Sequence, residues 1–235
     1  MKIAIMQPTF NPWLGYIYMI EKVDAFVFLD NVQFERRSWQ NRNKIKLQNQ
    51  IFMLNLITKK APQKTSLIDI FLNNEKKWKE KFLKTIYHGY SKSVNFEKYY
   101  FFLEQNLYQE KKLVDFNINL ILKICKDLDI KTPTYRSSSM SIALEKKEKL
   151  ILNICKSLKA DDYLSPEGSK NYLENSSELF KNENINIKYF NFIHPTYFQQ
   201  GDNFIPYLGS LDFVFNERNL LLKFKEMIKE NESFI

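Results

Sequence analysis

Two short apolar runs separated by a helix-length segment constrain this chain more than any other feature of its sequence. The first, Lys2 to Met6, contains Ile3-Ala4-Ile5, and the second is "AFVFLD", Ala25 to Asp30. Between them Trp13, Ile17 and Ile20 recur at i, i+4 and i+7, which predicts a helix over Trp13 to Val23. Two buried strands joined by one helix close as a right-handed crossover in a parallel sheet. The expected fold class is therefore α/β, with a Rossmann-like, mainly parallel sheet. Ligands of open α/β sheets collect at the carboxyl ends of the strands. Gln7 to Asn11 and Asp30 to Gln33 are thus expected side by side at one such edge.

The downstream pattern fills in the rest. Lys44 to Leu47, a polar turn Gln48-Asn49-Gln50, and Ile51 to Ile57 read as a β-hairpin. From Asn74 the chain turns largely helical: Trp78, Phe82 and Ile86 mark one helix, with Gly89 expected to end it at C′. Phe96, Tyr99, Tyr100, Leu103 and Leu107 mark a second helix, Leu120, Ile121, Ile124 and Leu128 a third, and Leu150, Ile151, Ile154 and Leu158 a fourth. "DDYLS" and "INIKYFNF" are later strand candidates that complete the sheet. The expected organisation is a single α/β domain over residues 1–235, with a helical subdomain at approximately 74–160.

Composition excludes several classes of protein. At 235 residues with 44% hydrophobic and 15% aromatic content, the chain can bury a sizeable core and is no disordered polymer. No apolar run approaches the ~20 residues of a membrane span, and Gln7 and Pro8 arrive too early for a secretory h-region. No membrane insertion and a cytoplasmic location are expected. Cys125 and Cys155 fall within helical apolar patterns, which suits buried free thiols. Two histidines and no Cys-x-x-Cys leave no zinc signature. The net charge is +8, from lysines that alternate with glutamates along helices, and a basic chain suits phosphorylated ligands. No arginine-rich block or interleaved aromatic-basic motif stands out, so tRNA is a possible partner but a secondary one.

Chemistry-bearing residues concentrate in two stretches. In "MQPTFNPWLGY", Pro8 and Pro12 fix φ and remove two backbone donors, freezing a loop in which Gln7 and Asn11 present amides. Gly15 lets some group approach the first helical turn closely, and Trp13 either anchors the core or walls a pocket. In "DNVQFERRSWQNRNKI", Asp30 and Gln33 precede Arg36, Arg37 and Arg42, with Trp39 available for stacking. Arg36 and Arg37 cannot both point inward. Arg42, framed by Asn41 and Asn43, is the preferred anion binder, with Arg37 and Lys64 as further candidates.

The two imidazoles, His88 in "IYHGYSK" beside Tyr90 and His194 in "IHPTYFQQ" ahead of Gln199, sit at ends of predicted elements. Either can act as a general base near neutral pH, oriented by Asp30 or a nearby tyrosine. "SPEGSK" supplies Ser165 and Gly168, and Ser169 as N-cap of a following helix whose amides could hold an anion. "RSSSM" is a weaker candidate of the same kind. A glycine-rich phosphate loop, a G-x-S-x-G and an H-E-x-x-H are all missing.

With these residues assembled, the sequence resembles the WbqC-like protein family. The resemblance rests on "QPTFNPWLGY", "DAFVFLDNVQFERRSWQNRNKI", "YLSPEGSKNYL" and "HPTYFQQ" with "SLDFVFN", and it spans roughly Lys2 to Asn216. Glu217 stands where the family usually has a glycine. Such proteins are typically encoded among genes for surface polysaccharide and O-antigen synthesis. The resemblance implies transfer of an amino-acid or other acyl group to the amine of a nucleotide-linked amino sugar (dTDP- or UDP-sugar). The donor stays open among acyl-CoA, aminoacyl-tRNA and ATP plus amino acid. The alternative is a non-catalytic nucleotide-sugar or glycan-binding accessory protein. A fainter similarity in element order is to pantothenate synthetases, but Asn11 and Tyr16 stand where those enzymes carry phosphate-binding histidines.

Under the transferase reading His88, His194 and Asp30 are the catalytic candidates. Gln7, Asn11, Trp13, Gln33, Arg37, Asn41, Arg42, Asn43, Lys64, Tyr90, Ser165, Gly168 and Gln199 are the substrate-binding ones. Neither a metal nor an oligomeric state is implied.

Overall fold

Strand pairing begins as the apolar runs dictate. In the computed structural model, which describes residues 1–142, 145, 147–170, 173 and 176–232, β1 (Lys2–Met6) passes through α1 (Leu14–Glu21) to β2 (Ala25–Phe28). The two strands pair in parallel, Ile3 with Ala25 through Met6 with Phe28. An antiparallel hairpin follows, β3 (Arg42–Leu47) and β4 (Gln50–Asn55), and then three helices, α2 (Lys76–Tyr90), α3 (Phe96–Gln109) and α4 (Leu113–Asp127). The chain continues through β5 (Thr134–Arg136), α5 (Glu148–Ser157), β6 (Asp162–Pro166), α6 (Ser177–Lys181) and β7 (Asn186–Phe190), and closes with α7 (Ser210–Asn216) and α8 (Leu220–Glu232).

The main sheet has five strands in the order β5-β2-β1-β6-β7, and all four pairings are parallel. Its strand order reverses between β1 and β6, so this is a doubly wound, Rossmann-like α/β sheet. Successive side chains of a strand face opposite ways, and the two faces carry separate cores. Ile3, Ile5, Val27 and Tyr163 pack with Ile151, Ile154 and Phe180 of α5 and α6. Ala4, Phe26 and Phe28 pack with Ile17, Leu120 and Phe213 of α1, α4 and α7. Cys125 and Cys155 are buried free thiols, each pushed up to about 12 by desolvation. Among the described residues no helix is long and apolar enough to cross a membrane.

Local detail adds to these expectations and corrects two of them, the hairpin turn and the end of α2. β5 is a short strand within the largely helical stretch of approximately 74–160; at three residues it is too short to show a period, and its register with Phe26–Phe28 is set by the sheet. The hairpin turn is the two residues Gln48 and Asn49, both at positive φ, and Gln50 already pairs with Leu47. Two residues of positive φ match the twist of the flanking strands. Gly89 lies inside the last turn of α2, which ends at Tyr90. A Cβ at Gly89 would fall 3.3 Å from the Lys46 carbonyl oxygen, so the glycine admits the backbone of β3 against the helix. Residues 167–169 form a short 3-10 turn, and most of the helix expected to follow Ser169 lies outside the described residues.

Candidate active site

The residues expected at the carboxyl edge do meet there. Gln40, fully buried, bridges the edge: its Nε2 donates to Gln7 Oε1 at 2.7 Å and, more weakly, to the Gln33 carbonyl at 3.4 Å. Asp30 is buried at the end of this edge. Its carboxylate accepts from Arg136 Nε at 2.7 Å and from the Ser138 amide and hydroxyl at 2.8 Å each, with Ser137 Oγ at 3.0 Å. Arg136 also reaches Asp115 at 2.7 Å. Among the described residues Asp30 bonds to neither histidine. It orients Arg136 and the "RSSSM" turn instead of an imidazole, which corrects its expected role. Ser165 is buried with its hydroxyl unpartnered, and Gly168 is exposed.

The rigid opening turn faces inward. Phe10 packs between Phe82 and Phe116, and Asn117 Nδ2 donates to the carbonyls of Pro8 and Gln40 at 2.9 and 2.8 Å. Asn11, fully buried at φ +46°, accepts from the Leu211 amide at 2.8 Å, while Asn43 Nδ2 donates to the Asn11 carbonyl at 2.7 Å. Asn11 and Asn43 thereby join the turn, β3 and α7. The group that approaches Gly15 is the Trp13 indole itself: a Cβ on Gly15 would fall 2.2 Å from the ring. Trp13 also stacks edge-on against Phe192 with centroids 5.1 Å apart.

His194 is not available as a base. Its Nδ1 lies 2.9 Å from the Pro195 carbonyl, to which it donates, and its Nε2 accepts from the Tyr207 amide at 3.1 Å. Burial lowers its pKa, so the ring stays neutral with both nitrogens engaged. Gln199 is likewise spent on the chain, bonding both the amide and the carbonyl of Ile205 at 2.9 Å.

The other histidine opens onto a polar cleft of about 250 Å³ between the hairpin tip, the end of α2 and α7. His88 is exposed on its wall; Lys46, Lys92, Tyr90, Gln200 and Asp212 also line it. Asp212 is fully buried at the base, where Tyr90 Oη donates to Oδ1 at 2.9 Å and Tyr197 Oη donates to Oδ2 at 3.0 Å. The Lys46 amide donates to Tyr90 Oη at 3.3 Å, and its ammonium bonds the Asn203 carbonyl. Desolvation pushes the Asp212 carboxyl up to about 6, against the two phenols and the nearby Lys46, which pull it down. Burial beside that carboxylate raises both tyrosines, so they remain donors. The arrangement is a hydrogen-bonded cluster of two phenols and a carboxyl that changes charge near neutral pH, at the base of a cleft whose wall carries the His88 imidazole.

Sequence reasoning passed over Asp212 and Lys46, which line this cleft, and Tyr197, which bonds Asp212 from behind it. One signal was present: in "SLDFVFN" an aspartate interrupts an apolar helix in which every residue is buried, and a buried carboxylate needs partners. Of the remaining candidates, Arg37 and Lys64 are exposed, Arg42 is half-buried on β3, and Asn41 donates to the Leu56 carbonyl at 3.2 Å.

A doubly wound α/β sheet, extended by a hairpin and a helical layer that enclose an acid–base cleft, defines the class of this protein. The sequence profile of the WbqC-like protein family matches residues 7–221, and the chain belongs to that family. It is 27% identical over 218 residues to the uncharacterized protein Rv1507c of Mycobacterium tuberculosis (strain ATCC 25618 / H37Rv), covering 92% of this chain and 93% of that one. No solved structure matches it.

Proposed function

We propose that the protein is a transferase that moves an amino-acid or other acyl group onto the amine of a nucleotide-linked amino sugar in surface-glycan (O-antigen, lipopolysaccharide) synthesis, with the cleft as its active site. One observation carries the reading: His88, Tyr90 and the titratable Asp212 share a single polar cleft with Lys46. Amide formation needs a neutral amine to attack the acyl carbonyl, and a base to take the proton released as the C–N bond forms. His88 is the base. Lys46 and Lys92 offset the anionic charge of the activated sugar, and the Tyr90–Asp212 pair relays a proton to the leaving group. At about 250 Å³ the cleft falls below the ~300 Å³ at which drug-sized ligand pockets begin. It suits the sugar ring, with the nucleotide outside.

Incubation of the protein with dTDP- or UDP-amino sugar and each donor class, followed by mass spectrometry, tests the reading. An acylated sugar that disappears in H88A and falls in D212N is the expected result. Nucleotide-sugar binding with no product under any donor would instead favour the accessory-protein reading. Turnover within a few-fold of wild type in both H88A and D212N would place the chemistry elsewhere.

A further inference from the structure

The charge of this chain is concentrated in one place. Residues 36–68 hold three arginines, five lysines and no carboxylate, which equals the net charge of +8 for the whole chain. The fold turns this segment into the loop before β3, the hairpin, and the loop after β4. Along β3, Arg42, Lys44 and Lys46 alternate with Asn43, Ile45 and Leu47, and so lie on one face. They recur about every 6.7 Å along the strand. Their cross-strand neighbours are Asn55, Met53 and Ile51, none of them acidic. Among the described residues, Arg36, Arg42, Lys44, Lys59, Lys60 and Lys64 form no ion pair.

Aromatic rings stand exposed among these cations. Trp39 is 51% exposed, and the Lys44 ammonium lies 5.9 Å from its ring centroid. Phe71 is 42% exposed, flanked by the ammonium groups of Lys59 at 5.8 Å and Lys112 at 5.7 Å. Arg36 ties the two loops together by donating to the Ala61 carbonyl at 2.6 Å. Gln48, Asn49 and Gln50 leave exposed amides at the hairpin tip.

An unneutralised row of cations attracts a polyanion, and exposed rings beside it offer stacking platforms for flat, unstacked bases. A duplex hides the faces of its bases. A free phosphate calls for a closed cradle instead of an open stripe. The tip amides can donate to and accept from 2′-hydroxyls. We infer that the hairpin and its flanking loops bind single-stranded RNA, with phosphates along Arg42 and Lys44 of β3 and the exposed Lys59 and Lys60 of the following loop, and bases stacked on Trp39 and Phe71; Lys46, buried and bonded to the Asn203 carbonyl, takes no part. This goes beyond the transferase reading and does not depend on it.

Fluorescence anisotropy of a labelled single-stranded RNA of about 20 nucleotides, titrated with the full chain from about 50 to 200 mM salt, tests the inference. Single-strand binding loses affinity with a log–log slope of about −0.7 per phosphate contacted, so a slope of about −3 is expected for Arg42, Lys44, Lys59 and Lys60 together. K59E/K60E is expected to weaken binding about tenfold. W39A is expected to weaken it about fivefold or more with the salt slope unchanged, because it removes a stacking face and no charge. K77E/K81E, on the exposed face of α2, leaves binding as in wild type. The inference is overturned by absence of binding at the lowest salt, by equal loss in K77E/K81E, or by tighter binding of duplex RNA, single-stranded DNA or phosphatidylglycerol vesicles. All the substituted residues are exposed, and W39A reads the surface without altering charge even where a charge reversal disturbs folding.

Discussion

Asp30 and Asp212 are both fully buried aspartates, yet they are built for opposite ends. Asp30 meets a guanidinium at 2.7 Å and two serines, so its charge is neutralised where it sits. Asp212 meets only neutral donors at bonding distance, two phenols at 2.9 and 3.0 Å and, more weakly, the Asn216 amide at 3.5 Å, and desolvation lifts its carboxyl to about 6. Depth alone thus says little about a buried carboxylate. The partner decides whether it serves as a fixed pin or as a group that changes charge in the physiological range.

The largest effect expected from this contrast is on folding. D30A leaves Arg136 without its inner partner and the Ser138 donors without an acceptor, and is expected to cost about 4 kcal/mol in urea unfolding. A cost below about 1 kcal/mol would show that the Asp115 contact alone holds the arginine.

The second effect is on pH dependence and follows from Asp212. Its folded pKa lies above the unfolded value, so between about pH 4 and pH 6 the native state binds more protons than the unfolded chain. Stability contributed by this group is therefore present at low pH and declines as pH rises through that window, by about 3 kcal/mol in all. D212N is expected to remove this slope while the rest of the profile is retained. Thermal melts at several pH values read the difference, and an unchanged slope would reassign it to another group.

The smallest effect sharpens the comparison most. Y90F deletes one of the two phenol donors and is expected to cost about 1–2 kcal/mol. The Tyr90 hydrogen bond lowers the Asp212 pKa, so its loss moves the window upward. A downward shift in the melt profile would contradict the assignment of Tyr90 as donor.

Much of the architecture was legible in local pattern. Ile3-Ala4-Ile5 and "AFVFLD" declare buried strands, and Trp13, Ile17 and Ile20 declare the helix that makes them parallel, because burial on both faces leaves little sequence freedom. The opening turn was legible as rigid but not in its purpose. Its amides, read as ligand donors, serve as acceptors within the fold: Gln7 Oε1 accepts from Gln40, and Asn11 Oδ1 accepts from the Leu211 amide of α7, a contact that spans nearly the whole chain. Of the two histidines His88 lines the cleft, and nothing local separates it from His194, whose nitrogens are occupied by Pro195 and Tyr207.

By itself, then, the sequence determined the α/β class, the parallel crossover, the hairpin and the family, since each rests on periodicity or on contiguous motifs. It also held the whole net charge within residues 36–68. Only the tertiary structure decided that Arg42 and Lys44 stay partly exposed on β3 while Lys46 is buried, and that Tyr90 and Tyr197 converge on Asp212 at the cleft that His88 lines. Residues up to 122 positions apart make those bonds. A side chain's charge state depends on neighbours that chain order does not reveal, so the cleft and its acid–base character come into being only on folding.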